Sequence, residues 1–143
     1  MVGFPKYIPH KDREKRISSA ITAIKALLPL DLYLAHKKEL LSTCFWKITE
    51  ADGKLKVRYW SEGALSAQTN NLRHEHVFER KELVSRLLSG ENVDFVVKDA
   101  IACLVTKDEH TKLGISAESG WNRYKDCDLK VFDTATQEWL NIT

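Results

Sequence analysis

The chain has 143 residues, 43% of them hydrophobic and 29% charged, enough for one domain with a core of ordinary size. Its 22 Lys and Arg against 20 Asp and Glu leave a formal charge of only +2, so any nucleic-acid contact would need a local basic face. No apolar run approaches the roughly 20 residues of a membrane span, the N-terminus lacks an apolar signal-like stretch, and Cys44, Cys103 and Cys127 form no CxxC pair; a reducing, cytoplasmic setting with no membrane partner is expected.

Residues 1–10 are expected to form an extended arm, because Pro5 and Pro9 disfavour helix. From Asp12 onward, Ile17, Ala20, Ile21, Ile24, Leu27 and Leu28 fall on one helical face, and Pro29 ends the run. A second helix is expected from Asp31, a good N-cap, with Leu34, Leu41, Phe45 and Ile48 on one side. Its far end is ambiguous, since Cys44, Trp46 and Ile48 also alternate ahead of Asp52-Gly53, as a hairpin would. The reading adopted is helix to about residue 48, then a strand over 54–60.

Residues 61–72 lack periodicity and read as loop. Leu83, Leu87 and Leu88 give a helix over 79–89, stopped by Gly90. The apolar run 100–105 reads as a buried strand, with Cys103 a small hydrophobe within it. Thr106 and Glu109 then form a capping-box pair opening a helix over 107–113. Gly114 and Gly120 bound a loop, residues 121–125 suit a helical turn, and 129–132 a last strand. The expected fold is α+β over residues 1–143 as one domain: an N-terminal helical pair packed on a small sheet, with a strand-helix unit carrying histidines.

Three histidines draw attention. In an extended segment His74 and His76 point to one face and Glu75 to the other. His110 lies just after the expected start of the helix that follows the buried strand. Imidazole serves as a metal ligand or as a general base near neutral pH, and carboxylates are the hard donors that magnesium and manganese prefer. The competing reading is a polar surface triplet and an ordinary capped helix.

The segments "LRHEHVFERKEL" and "CLVTKDEHTKL" together resemble the two halves of the HNH, or His-Me finger, nuclease motif, a match of about 40 residues. The resemblance implies a metal-dependent endonuclease cleaving DNA or RNA. His76 would be the general base, and Glu75, or His74, would share a Mg2+ or Mn2+ ion with His110. Asn92 is the positional candidate for the motif's central asparagine. The sequence departs from the pattern in its long connecting helix and in lacking flanking CxxC pairs.

Arg73, Arg80 and Lys81 flank the triplet and would hold phosphates, although with Glu75, Glu79 and Glu82 interleaved a solvated helix face is the commoner explanation. Arg58-Tyr59-Trp60 and Trp121-Asn122-Arg123-Tyr124 mix arginine with aromatic rings, as base-stacking surfaces and protein interfaces both do. The alternative function is a non-enzymatic protein-interaction factor, such as an inhibitor, immunity or phage-defence protein, on a degenerate HNH scaffold.

Overall fold

Two helices open the described chain and set its layering. The structure, a computed structural model, describes residues 3–142. Helix α1 (Arg13–Leu27) turns its apolar stripe inward through Ala20 and Ile24, and α2 (Leu34–Thr49) answers with Leu41, Cys44, Phe45 and Ile48. The cap of α2 is Tyr33 rather than Asp31. The two helices share a core with α4 (Arg80–Leu88) and α5 (Val93–Val96), centred on Leu83, Leu87 and Val96.

The sheet has five strands: β1 (Tyr59–Ser61), β2 (Leu72–His76), β3 (Ala102–Thr106), β4 (Val131–Asp133) and β5 (Glu138–Trp139). Their order is β2-β3-β1-β4-β5. Strands β1 and β3 are parallel and the remaining pairs antiparallel. The architecture is therefore α+β with a mixed sheet and an N-terminal helical pair, as the periodicities predict.

Side-chain alternation gives the sheet two faces. Val77, Cys103, Val105 and Val131 lie in one cluster with Leu113 of α6 (Lys107–Ile115) and Tyr124 of α7 (Trp121–Asp126). Leu72, Ala102 and Leu104 lie in another with Val57 and with Ala64 of α3 (Glu62–Leu65). The end of α2 approaches this second face, where Trp46 packs on His74 and His76. The N-terminal arm is docked: Phe4 packs on Phe132 and Trp139, and the Tyr7 hydroxyl donates to Asp52 at 2.6 Å. Met1 and Val2 of that expected arm lie outside the described residues.

Four expectations need correction. The strand anticipated over 54–60 shrinks to β1, because the chain first turns at Gly53 (φ +105°) and then takes Leu55 through a left-handed conformation (φ +60°). No hairpin forms at Asp52-Gly53; β1 pairs instead with β3 and β4. The presumed loop after Trp60 contains α3, whose start is capped by Ser61 accepting from the Ala64 amide. Gly114, expected to bound a loop, lies inside α6.

A candidate carboxylate-histidine site on a strand-strand-helix unit

Strand β2 pairs antiparallel with β3 in a register that sets Glu75 opposite Cys103 and His74 opposite Leu104. Paired residues share a face, so Glu75 and Arg73 lie on the side covered by α6 and α7, and His74 and His76 on the other. Directly after β3, Thr106 caps α6: its hydroxyl accepts from the Glu109 amide at 3.2 Å, and the Glu109 carboxylate accepts from the Thr106 amide at 2.8 Å. Glu109 also accepts from the Ser61 hydroxyl at 2.6 Å, tying the helix start to β1. This anchoring places His110 over β2.

There His110 Nδ1 contacts Glu75 Oε2. Glu75 is buried, whereas the His110 side chain is 55% exposed, so the pair spans from the interior to the surface. The second carboxylate oxygen, Oε1, faces the guanidinium of Arg123, with both Nη atoms at 3.3 Å. Arg123 is 2% exposed and also donates through Nη2 to the carbonyls of His76 at 2.5 Å and Val77 at 2.7 Å. Glu79 adds a second carboxylate 3.8 Å from Nη1. A buried guanidinium needs this density of acceptors, because unpaired it would carry a desolvation cost of several kcal/mol. Arg123 thus clamps the end of β2 and orients Glu75 towards His110. Its own helix begins at Gly120, which has a φ of +60° and the Phe78 ring packed 2.5 Å from where a Cβ would stand.

The expected site residues divide between the two faces. Glu75 and His110 meet. His74 and His76 do not join them: their Nε2 atoms converge on the Thr49 hydroxyl at 3.2 and 2.8 Å, beside Trp46. Burial, reinforced by the Arg80 charge, lowers the His74 pKa to about 4. Burial first, then His74, Arg80 and Arg123, lowers that of His76 to about 3. Both imidazoles are neutral at physiological pH. As a general base His76 is misplaced, since strand alternation turns it away from the Glu75–His110 pair. The same alternation removes His74 as a partner ligand.

Asn92 is elsewhere too, capping α5 by accepting from the Phe95 amide at 3.1 Å. Arg80 lies over the Trp46 ring at 4.7 Å and donates to Ser42 at 3.0 Å, on the His74 side. Lys81 pairs with Glu79 at 3.3 Å. Arg73 alone of the expected phosphate ligands shares the Glu75 face. It bonds the carbonyls of Asn70 and Leu72 and makes no ion pair among the described residues. Thr49 was missed by sequence reasoning, and Arg123, read as part of an arginine–aromatic surface, is instead buried against Glu75. Neither role has a local signal, because each comes from a strand more than 20 residues away.

Glu75 and His110 offer one hard oxygen and one imidazole nitrogen at a half-open rim. They are the only two of the expected metal ligands that the fold brings together. Among the described residues no group of three or more His, Cys, Asp or Glu side chains is arranged to hold a metal. No helix among the described residues is long and apolar enough to cross a membrane. Comparison with protein-family models, curated proteins and solved structures finds no match to this chain.

Proposed function

We propose that the chain is an HNH-like phosphodiesterase acting on DNA or RNA through the β2–β3–α6 unit. The observation that supports it is the meeting of Glu75 and His110, 35 residues apart in sequence, across an antiparallel strand pair and the helix that follows. Glu75 and His110 are the residues that would hold a divalent ion. The ion would supply positive charge to the phosphate oxygens and to the departing alkoxide.

The chain's own residues supply position and charge. Arg123 fixes the carboxylate through Oε1, leaving Oε2 for the rim. It also offsets the charge of Glu75. Arg73 contributes a guanidinium on the same face, where a nucleic-acid phosphate is within its class of ligands. Water would attack phosphorus as the phosphorus–oxygen bond to the leaving strand breaks, giving up a proton to solvent while the departing alkoxide takes one from it. His76 takes no part.

The test is strand cleavage together with metal binding. Purified protein with Mg2+ or Mn2+ is expected to nick plasmid or cut RNA. His110→Ala and Glu75→Gln should each reduce cleavage at least about 100-fold and weaken Mn2+ binding measured by electron paramagnetic resonance. Cleavage undiminished in both variants sinks the assignment.

A second reading has its own support. Arg123 already satisfies half of Glu75, and Leu30, Leu32, Tyr33 and Leu34 are exposed together between α1 and α2. Exposed apolar patches mark interaction surfaces. An interaction factor of the inhibitor, immunity or phage-defence type, on an inactive strand-strand-helix scaffold, would show no cleavage with either metal and would lose its partner on Tyr33→Glu.

A further inference from the structure

Every residue from Pro29 to His36 is exposed, yet the segment is mostly apolar. Leu30, Leu32, Tyr33 and Leu34 form the corner where α1 passes to α2, with Tyr33 72% and Leu34 56% exposed. The corner is held in one conformation. The Leu30 amide donates to the Leu27 carbonyl and the Leu32 amide to the Leu30 carbonyl, both at 3.1 Å. The Lys37 ammonium donates to the Leu28 carbonyl at 2.8 Å, and Pro29 fixes its own φ. Apolar side chains fixed in solvent add nothing to the core of the monomer, but they lower the ordering cost of association.

Beside the corner runs a groove of about 850 Å³ between α2 and α4, with Leu34, Val84 and Leu88 as its apolar lining. Leu34 thus belongs to both the corner and the groove. A two-fold axis passing beside it returns the corner of each copy to the groove of the other, burying both apolar surfaces at once. On the charged rim Lys81 is paired with Glu79 at 3.3 Å, and Arg80 lies over Trp46. Lys38 is exposed and makes no ion pair among the described residues. One turn after Leu34, it shares that side of the helix, whereas Glu39, also unpaired, lies further round. Asp31, the one carboxylate of the corner, precedes Leu34 by three residues and is likewise exposed and unpaired. The same axis therefore sets each Asp31 against Lys38 of the other copy. The four corner side chains expose on the order of 400 Å², about half of the ~800 Å² that each partner gives to a standard interface, and the groove adds to it.

We propose that this corner and groove are the interface of a two-fold dimer, occupied by a second copy of the chain. The assignment is independent of the phosphodiesterase reading, and it gives the exposed patch a different occupant from the foreign partner of the interaction reading.

Sedimentation equilibrium of the purified full chain reads this directly. A mass of twice 16.4 kDa is expected, with a dimer Kd of about 10 µM or tighter. Tyr33→Glu, at an exposed position, should leave a folded monomer, its fold checked by circular dichroism. Asp31→Lys and Lys38→Asp should each weaken dimerisation about tenfold or more, because each sets like charges across the axis. Combining the two should restore it. A monomer at about 100 µM, a dimer unmoved by Tyr33→Glu, or a double variant no tighter than the single ones overturns the proposal. None of these outcomes bears on cleavage at Glu75 and His110, which is read separately.

Discussion

His76 illustrates how one residue's surroundings decide its chemistry. An unfolded histidine titrates near pH 6.5, whereas His76 in the folded protein does so at about 3. Above pH 6.5 both states are neutral and the depressed value has no effect on stability. As pH falls below 6.5 the unfolded chain takes up a proton that the folded chain refuses, so stability declines towards pH 3. By pH 4.5 the loss from this group alone is about 3 kcal/mol. His74, lowered to about 4, acts over the upper part of the same range. Urea unfolding at pH 7 and pH 4.5 should show this decline, and His76→Phe should make it shallower. An equally steep decline in the variant would mean the imidazole is not titrating as a buried group. That the two rings share a face was legible from the strand's period of two. Which face would meet His110 was not, because Arg123 orients Glu75 from 48 residues away.

Among the elements, α6 follows most directly from its sequence. Thr106 and Glu109 form the capping box their spacing predicts, and the first turn adds Asp108 and Glu109 at the positive end of the helix dipole. Glu109 is more than a cap, since its carboxylate also receives the Ser61 hydroxyl. Thr106→Ala should therefore cost about 1–2 kcal/mol, read as a shifted denaturant midpoint, and should loosen His110 over β2. Hydrogen exchange at the α6 amides would register that loosening; unchanged exchange would separate the cap from the site. Strand β1 failed the same kind of reading. Leu55, Val57 and Tyr59 alternate as a strand from residue 54 would, but a turn at Gly53 and the left-handed Leu55 delay pairing until Tyr59. Alternation reports burial, and a twisting loop against the core can satisfy it without a ladder.

For the whole molecule, the helical pair and the α+β class were readable because both rest on periodicity. The sheet order was not: β1 lies between β3 and β4, a parallel and an antiparallel neighbour, and no local pattern encodes that choice. The helical pair with α4 and α5 forms one core, and the sheet with α6 and α7 another. The candidate pair stands on the α6–α7 face of the sheet, away from the first core, and a cleft lies where arm, α1 and sheet converge.

Gly120 couples these scales. A methyl group there would collide with the Phe78 ring and would sit on a backbone that side chains disfavour. Gly120→Ala is expected to cost about 2–4 kcal/mol, measured as a lowered melting temperature. Three residues on stands the guanidinium that aims Glu75. The smallest side chain, added far from any reacting atom, should therefore slacken the aim of the carboxylate before the protein comes apart.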